Sequence, residues 1–156
     1  MTKSKKHSDN ERVPLTFDSI GAEEKEAAIK VLETGFYTMG KEVGAFEELF
    51  AAFTGAQHCV MVNSGSSANL LLVASYLHGL NREGLLSPGD EVLVPALLWP
   101  TTLWPIVQLG LKPVLVDVSP ETMSIDINDA RSKLSAKTKA IFLIHVLGIP
   151  ANMEAM

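Results

Sequence analysis

Apolar residues recur along this chain in two rhythms that alternate. Over residues 22–34, Ala27, Ala28, Val31 and Leu32 share one side of a helical wheel, while Glu23, Glu24 and Lys25 fall elsewhere. That spacing predicts a helix, with Gly35 as its stop. Residues 36–40 predict a turn carrying aromatic groups. The helical period returns over 43–53 through Val43, Phe46, Leu49, Phe50 and Phe53, and Gly55 closes it. Short continuous apolar runs then take over at 58–62, 91–95, 113–118 and 139–146, and predict strands. Between them, residues 66–80, 101–110 and 128–134 predict helices. Pro105 suits the second of these only within its first turn, and Asp126 or Asn128 caps the third. Residues 81–89 and 119–122 predict loops, and 150–156 the start of a further helix.

Continuous apolar strands, as opposed to alternating ones, are covered on both faces. Strands of that kind joined by crossover helices form a mainly parallel sheet, so the fold class is α/β with helices flanking the sheet. The sequence shows no internal repeat, linker or low-complexity segment. Residues 1–14 read as a polar, flexible leader, and 15–156 as one partial domain with at least one more strand expected after the last helix.

Composition narrows the possible partners. Of the 156 residues, 47% are hydrophobic and 20% charged, which suits a globular chain, and a net charge of −5 argues against a nucleic-acid partner. The leader holds Lys3, Lys5, Lys6 and His7 with no apolar core behind them, so it is no secretory signal. The single cysteine, Cys59, reads as a buried, inert thiol and fits a cytoplasmic location. Residues 92–111 carry no charge and are long enough to cross a bilayer. Pro95, Pro100 and Pro105 interrupt them, however, so a buried strand, turn and helix explain them better than a membrane span. No His, Cys, Asp and Glu cluster has metal-ligand spacing.

The strongest local signal is Ser64-Gly65-Ser66-Ser67, where a strand runs into a helix. Gly65 permits close backbone approach and unusual dihedrals, and Ser66 and Ser67 add hydroxyls to the amides of a helix N-terminus, a spot that favours phosphate. The same residues also suit a plain helix cap. No Walker-type Lys and no Gly-x-Gly-x-x-Gly accompany them. Trp99, just past a strand end, could stack on a planar heterocycle or simply pack in the core, as could Trp104. Asp117 reads as a strand-end carboxylate met by turn amides, and His145 as a satisfied polar residue with some chance of lining a site.

Taken in order, Gly40-Lys41-Glu42-Val43 with Phe46-Glu47, Val62-Asn63-Ser64-Gly65-Ser66-Ser67-Ala68-Asn69, Pro88-Gly89-Asp90-Glu91-Val92, Pro100-Thr101-Thr102, Pro113-Val114-Leu115-Val116-Asp117-Val118 and Lys137-Thr138-Lys139-Ala140-Ile141 form a series. Over residues 34–156 this series resembles the DegT/DnrJ/EryC1/StrS sugar aminotransferases. These are pyridoxal-phosphate enzymes of the aspartate aminotransferase fold, and the motifs are most similar to their CDP-4-keto-6-deoxyglucose 3-dehydratase branch.

The resemblance implies a cofactor, pyridoxal phosphate or pyridoxamine phosphate, with Ser64, Gly65 and Ser66 at its phosphate and Trp99 stacked on its ring. It places Phe36, Tyr37 and Met39 at the sugar. It further implies a nucleotide-linked keto sugar and glutamate as substrates, a role in cell-surface polysaccharide (lipopolysaccharide) or antibiotic synthesis, and a homodimer. The family's pyridine-pairing Asp, its Schiff-base Lys (or the His that replaces it) and its small domain have no counterpart in these residues. No catalytic residue is therefore assigned. The expectation is a truncated N-terminal part of the large domain, inactive alone, which associates with itself or with a missing C-terminal part. The alternatives at this level are amino transfer, 3-dehydration, a non-catalytic interaction module, and a small domain that binds a phosphate ligand by itself.

Overall fold

The computed structural model describes residues 19–79 and 86–156, and divides the chain into two compact units, up to Met61 and from Val62 onward. The expected leader lies outside the described residues, as do Leu80 and the loop over 81–85.

The first unit holds two helices, α1 (Ala22–Glu33) and α2 (Lys41–Thr54). In α1, the Glu24 carboxylate reaches back to accept from the Gly21 amide at 2.7 Å, which ties down one of the donors a helix start leaves over. Gly55 ends α2 with a φ of 74°, a left-handed backbone that glycine adopts without steric cost. The ring of Phe46 stacks on Phe50 at 5.6 Å, with Phe53 next in the row.

The apolar run at 58–62 does not form a strand. A strand needs a ladder partner, and the strands that do form pair only with one another. Within the segment, the Met61 amide instead donates to the Glu47 carboxylate of α2 at 2.7 Å. Cys59 there is half-buried, not the fully buried thiol expected.

The second unit is a three-stranded parallel sheet. It comprises α3 (Gly65–His78), β1 (Glu91–Pro95), α4 (Pro100–Gln108), β2 (Lys112–Val116), α5 (Ile127–Ser132) and β3 (Thr138–Ile141), with strand order β2-β1-β3. The central strand β1 explains its own sequence. Val92 and Val94 point to one face and pack with Val73, Ile106 and Leu111, while Leu93 points to the other and packs with Val116, Ile125 and Ala130. Both faces are covered, so both sets of side chains are apolar.

The chain steps from β1 to β2 on one side and returns to β3 on the other. This reversal makes β1 the topological switch point of the sheet, and open α/β sheets bind ligands beyond the carboxyl ends of strands at such a point. The last strand is shorter than the sequence implies. β3 stops at Ile141, one more ladder bond joins the Phe142 amide to the Leu93 carbonyl at 2.8 Å, and Val146–Gly148 is a short 3-10 turn. Residues 150–156 form turns and no helix.

Candidate cofactor-binding site

α3 begins where the sequence places it. Ser64 is its N-cap, in extended backbone, and its Oγ accepts from the Ser67 amide at 3.2 Å. The Ser67 hydroxyl donates to Asn63 Oδ1 at 2.6 Å and lies 3.3 Å from Ser64 Oγ. Two of the three serine hydroxyls are thus committed to building the turn.

The expectation that Ser66 and Ser67 both offer hydroxyls to a ligand is therefore corrected: Ser67 is held by Asn63. Ser66 Oγ makes no hydrogen bond among the described residues. The amides of Gly65 and Ser66, the first two of the helix, have no acceptor within it. Gly65 is helical, without a positive φ, so the unusual dihedrals that glycine permits are not used. A Cβ built at Gly65 would meet nothing within 4 Å, so the space beside it is open. Free donors beside an open space at the positive end of a 14-residue helix fit a dianionic phosphate.

Trp99 is the N-cap of α4, and its carbonyl accepts from the Thr102 amide at 2.9 Å. Trp99 is 74% exposed and packs into neither core cluster of the described residues. Pro105 sits in the middle of α4 and not in its first turn as expected. A proline there has no N–H for the carbonyl four residues back, which belongs to Thr101. That oxygen accepts from Asn69 Nδ2, one turn into α3, at 3.3 Å. The starts of α3 and α4 are joined in this way, and Ser66, Ser67, Leu70, Thr101, Trp104 and Pro105 line a hollow of about 240 Å³ between them.

Sequence reasoning singled out neither Asn63 nor Asn69. The signal for the second was present: a proline inside a helix leaves a carbonyl that needs another donor.

Phe36, Tyr37 and Met39 belong to the first unit and are exposed there. Phe36 and Tyr37 line a hollow of about 390 Å³ with Val31, Thr34 and Val43, and the Tyr37 hydroxyl donates to the Leu32 carbonyl at 3.3 Å.

Asp117 and His145 each accept from a backbone amide. Asp117 Oδ1 accepts from the Val118 amide at 2.8 Å, and His145 Nδ1 accepts from the Ala151 amide at 3.0 Å. Asp129 accepts from Lys133 Nζ and from the Asp117 amide, each at 2.7 Å, and the lysine above all holds its carboxyl below the usual Asp range. Among the described residues, no group of three or more His, Cys, Asp and Glu side chains is placed to hold a metal, and no helix is long and apolar enough to cross a membrane.

A family model described as the DegT/DnrJ/EryC1/StrS aminotransferase family matches residues 18–156. The chain belongs to that family. Within it, the chain is 36% identical over 143 residues to a GDP-4-keto-6-deoxy-D-mannose 3-dehydratase of Yersinia pseudotuberculosis, covering 92% of this chain and 36% of that protein. It is 38% identical over 142 residues to the lipopolysaccharide biosynthesis protein RfbH of Salmonella typhimurium, covering 91% of this chain and 32% of the relative. The chain spans about a third of the length of these curated relatives.

A structure of the Escherichia coli GDP-4-keto-6-deoxy-D-mannose 3-dehydratase with bound hydrated pyridoxal phosphate superposes with a TM-score of 0.84 at 37% identity, over 92% of this chain and 36% of that one. Structures of an enzyme of the same name hold a trapped pyridoxal-phosphate–glutamate species or GDP-perosamine. The α/β fold is therefore that of the family's pyridoxal-phosphate enzymes, of which this chain matches a part. A Streptococcus pneumoniae protein classed as a candidate sugar aminotransferase matches at 25% identity with a TM-score of 0.79, over 92% of this chain and 34% of its own.

Proposed function

We infer that this chain carries the phosphate-binding and ring-stacking part of a pyridoxal- or pyridoxamine-phosphate enzyme that acts on a nucleotide-linked 4-keto-6-deoxy sugar in cell-surface polysaccharide synthesis. Within the family, the reading favours 3-dehydration over amino transfer. The identities of 36–38% are to dehydratase and lipopolysaccharide proteins, against 25–31% for other solved structures that the chain matches.

The observation that carries the reading is the start of α3, where the Gly65 and Ser66 amides and the Ser66 hydroxyl have no partner among the described residues and lie beside open space. Gly65 and Ser66 would hold the cofactor phosphate. Ser64, whose hydroxyl is taken by the Ser67 amide, fixes the geometry of those donors. The exposed Trp99 indole would cover the flat ring. Phe36, Tyr37 and Met39 would meet the sugar with apolar and phenolic surface, and a nucleotide sugar and glutamate are the small molecules the reading calls for. When bound, the cofactor supplies an electron-withdrawing ring conjugated to the reacting carbon.

The hollow beside Ser66 has no ionisable side chain in its lining, so residues 1–156 are expected to bind the cofactor without turning over substrate. Titration with pyridoxal phosphate, followed by tryptophan fluorescence, tests the reading. Saturable quenching is expected in the wild type, and Ser66→Ala should weaken it about tenfold, the order of one hydrogen bond to a charged group. Absence of saturable binding up to millimolar cofactor would overturn the reading and favour an interaction module with no cofactor.

A further inference from the structure

The two ends of the proposed cofactor site sit on different helices, and one side chain spans them. The phosphate donors belong to the first turn of α3, and the indole belongs to the residue that caps α4. Asn69 is four residues after Gly65, on the same side of α3, and its amide Nδ2 reaches the Thr101 carbonyl, 32 residues away in sequence, at 3.3 Å. Thr101 is two residues beyond Trp99. Pro105 supplies no N–H to this carbonyl, so the Asn69 amide takes the place of the missing helical donor.

We propose that Asn69 is a positioning residue, acting with the proline-exposed carbonyl of Thr101 to set the spacing between the phosphate donors of α3 and the Trp99 ring. The helix interrupted at Pro105 and the asparagine one turn into α3 are two halves of one clamp. The clamp touches neither phosphate nor ring. It fixes how far apart the groups that do so can be, and a rigid ligand with a phosphate at one end and a heterocycle at the other requires a fixed distance. This proposal rests on the cofactor reading above.

A test exploits the difference between a ligand that needs both ends and one that needs only the phosphate donors. In a Trp104→Phe background Trp99 is the sole indole of the chain, and its fluorescence reports pyridoxal phosphate directly. Inorganic phosphate, added as a competitor, reports the α3 donors alone. Asn69→Ala, with Asn69→Leu as a variant of similar volume, is expected to lower pyridoxal-phosphate affinity about five- to tenfold while the phosphate inhibition constant moves less than about twofold.

The double variant Asn69→Ala/Pro105→Ala returns an N–H to the orphaned carbonyl. It should recover the thermal midpoint lost by Asn69→Ala without recovering cofactor affinity. Equal loss of both ligands in both single variants would overturn the proposal, since general damage to the fold does that. Wild-type cofactor affinity in either single variant, or its recovery in the double variant, would do the same. A parent protein that binds phosphate but leaves the indole unquenched would overturn the cofactor reading and the proposal with it.

Discussion

Ser66 and Ser67 are neighbours of identical chemistry, yet only one is free. Asn63 takes the Ser67 hydroxyl and Ser64 takes its amide, whereas the Ser66 hydroxyl makes no hydrogen bond among the described residues. Substitution should separate the two roles. Ser64→Ala removes a helix cap and should cost about 1 kcal/mol in chemical denaturation, whereas Ser66→Ala should leave the denaturation midpoint unchanged and act on cofactor binding. Asp129 offers a second check at this scale. Its carboxyl is held below the ordinary Asp value, chiefly by Lys133 and then by the Asp117 amide. The folded state therefore binds that proton less tightly than the unfolded chain. The stabilisation is complete above about pH 4 and is lost as pH falls through the lowered folded value. Thermal melts of Asp129→Asn should lie below wild type at pH 7 and converge with it towards pH 2.

At the scale of elements, legibility followed the locality of the cause. β1 lies where its apolar run lies, because burial on both faces writes itself into consecutive residues. The start of α5 was readable from Asp126, whose carboxylate accepts from the Asn128 and Asp129 amides at 2.7 and 2.9 Å. The run at 58–62 has the composition of a strand, but a strand is a relation between segments and one segment cannot state it. The Ser64–Ser66 turn was legible for the same local reason as α5. The Asn69–Thr101 bond was not, since its partners are far apart in sequence and the proline that makes room for it looked like a helix breaker. Restoring the N–H alone, in Pro105→Ala, should change stability by less than about 1 kcal/mol in urea denaturation, because the Thr101 oxygen has a second lone pair and its bond to Asn69 can persist.

For the whole molecule, large apolar side chains are left in water, among them Phe46, Phe50 and Phe53 on α2, the last 86% exposed. Apolar surface of this kind favours association. Static light scattering at rising concentration should therefore give a mass above the 16.9 kDa of one chain, and charge introduced by Phe53→Glu should bring it down.

Among the described residues, the backbone donors of His58, Cys59 and Val60 have no acceptor, although they lie only a few residues before the proposed phosphate donors. In deuterium oxide these three positions should label within seconds, at close to the rate of an open peptide, while β1 keeps its protons for hours. Any polypeptide that zips onto this ribbon would slow the labelling, which makes isotope uptake there a direct gauge of assembly.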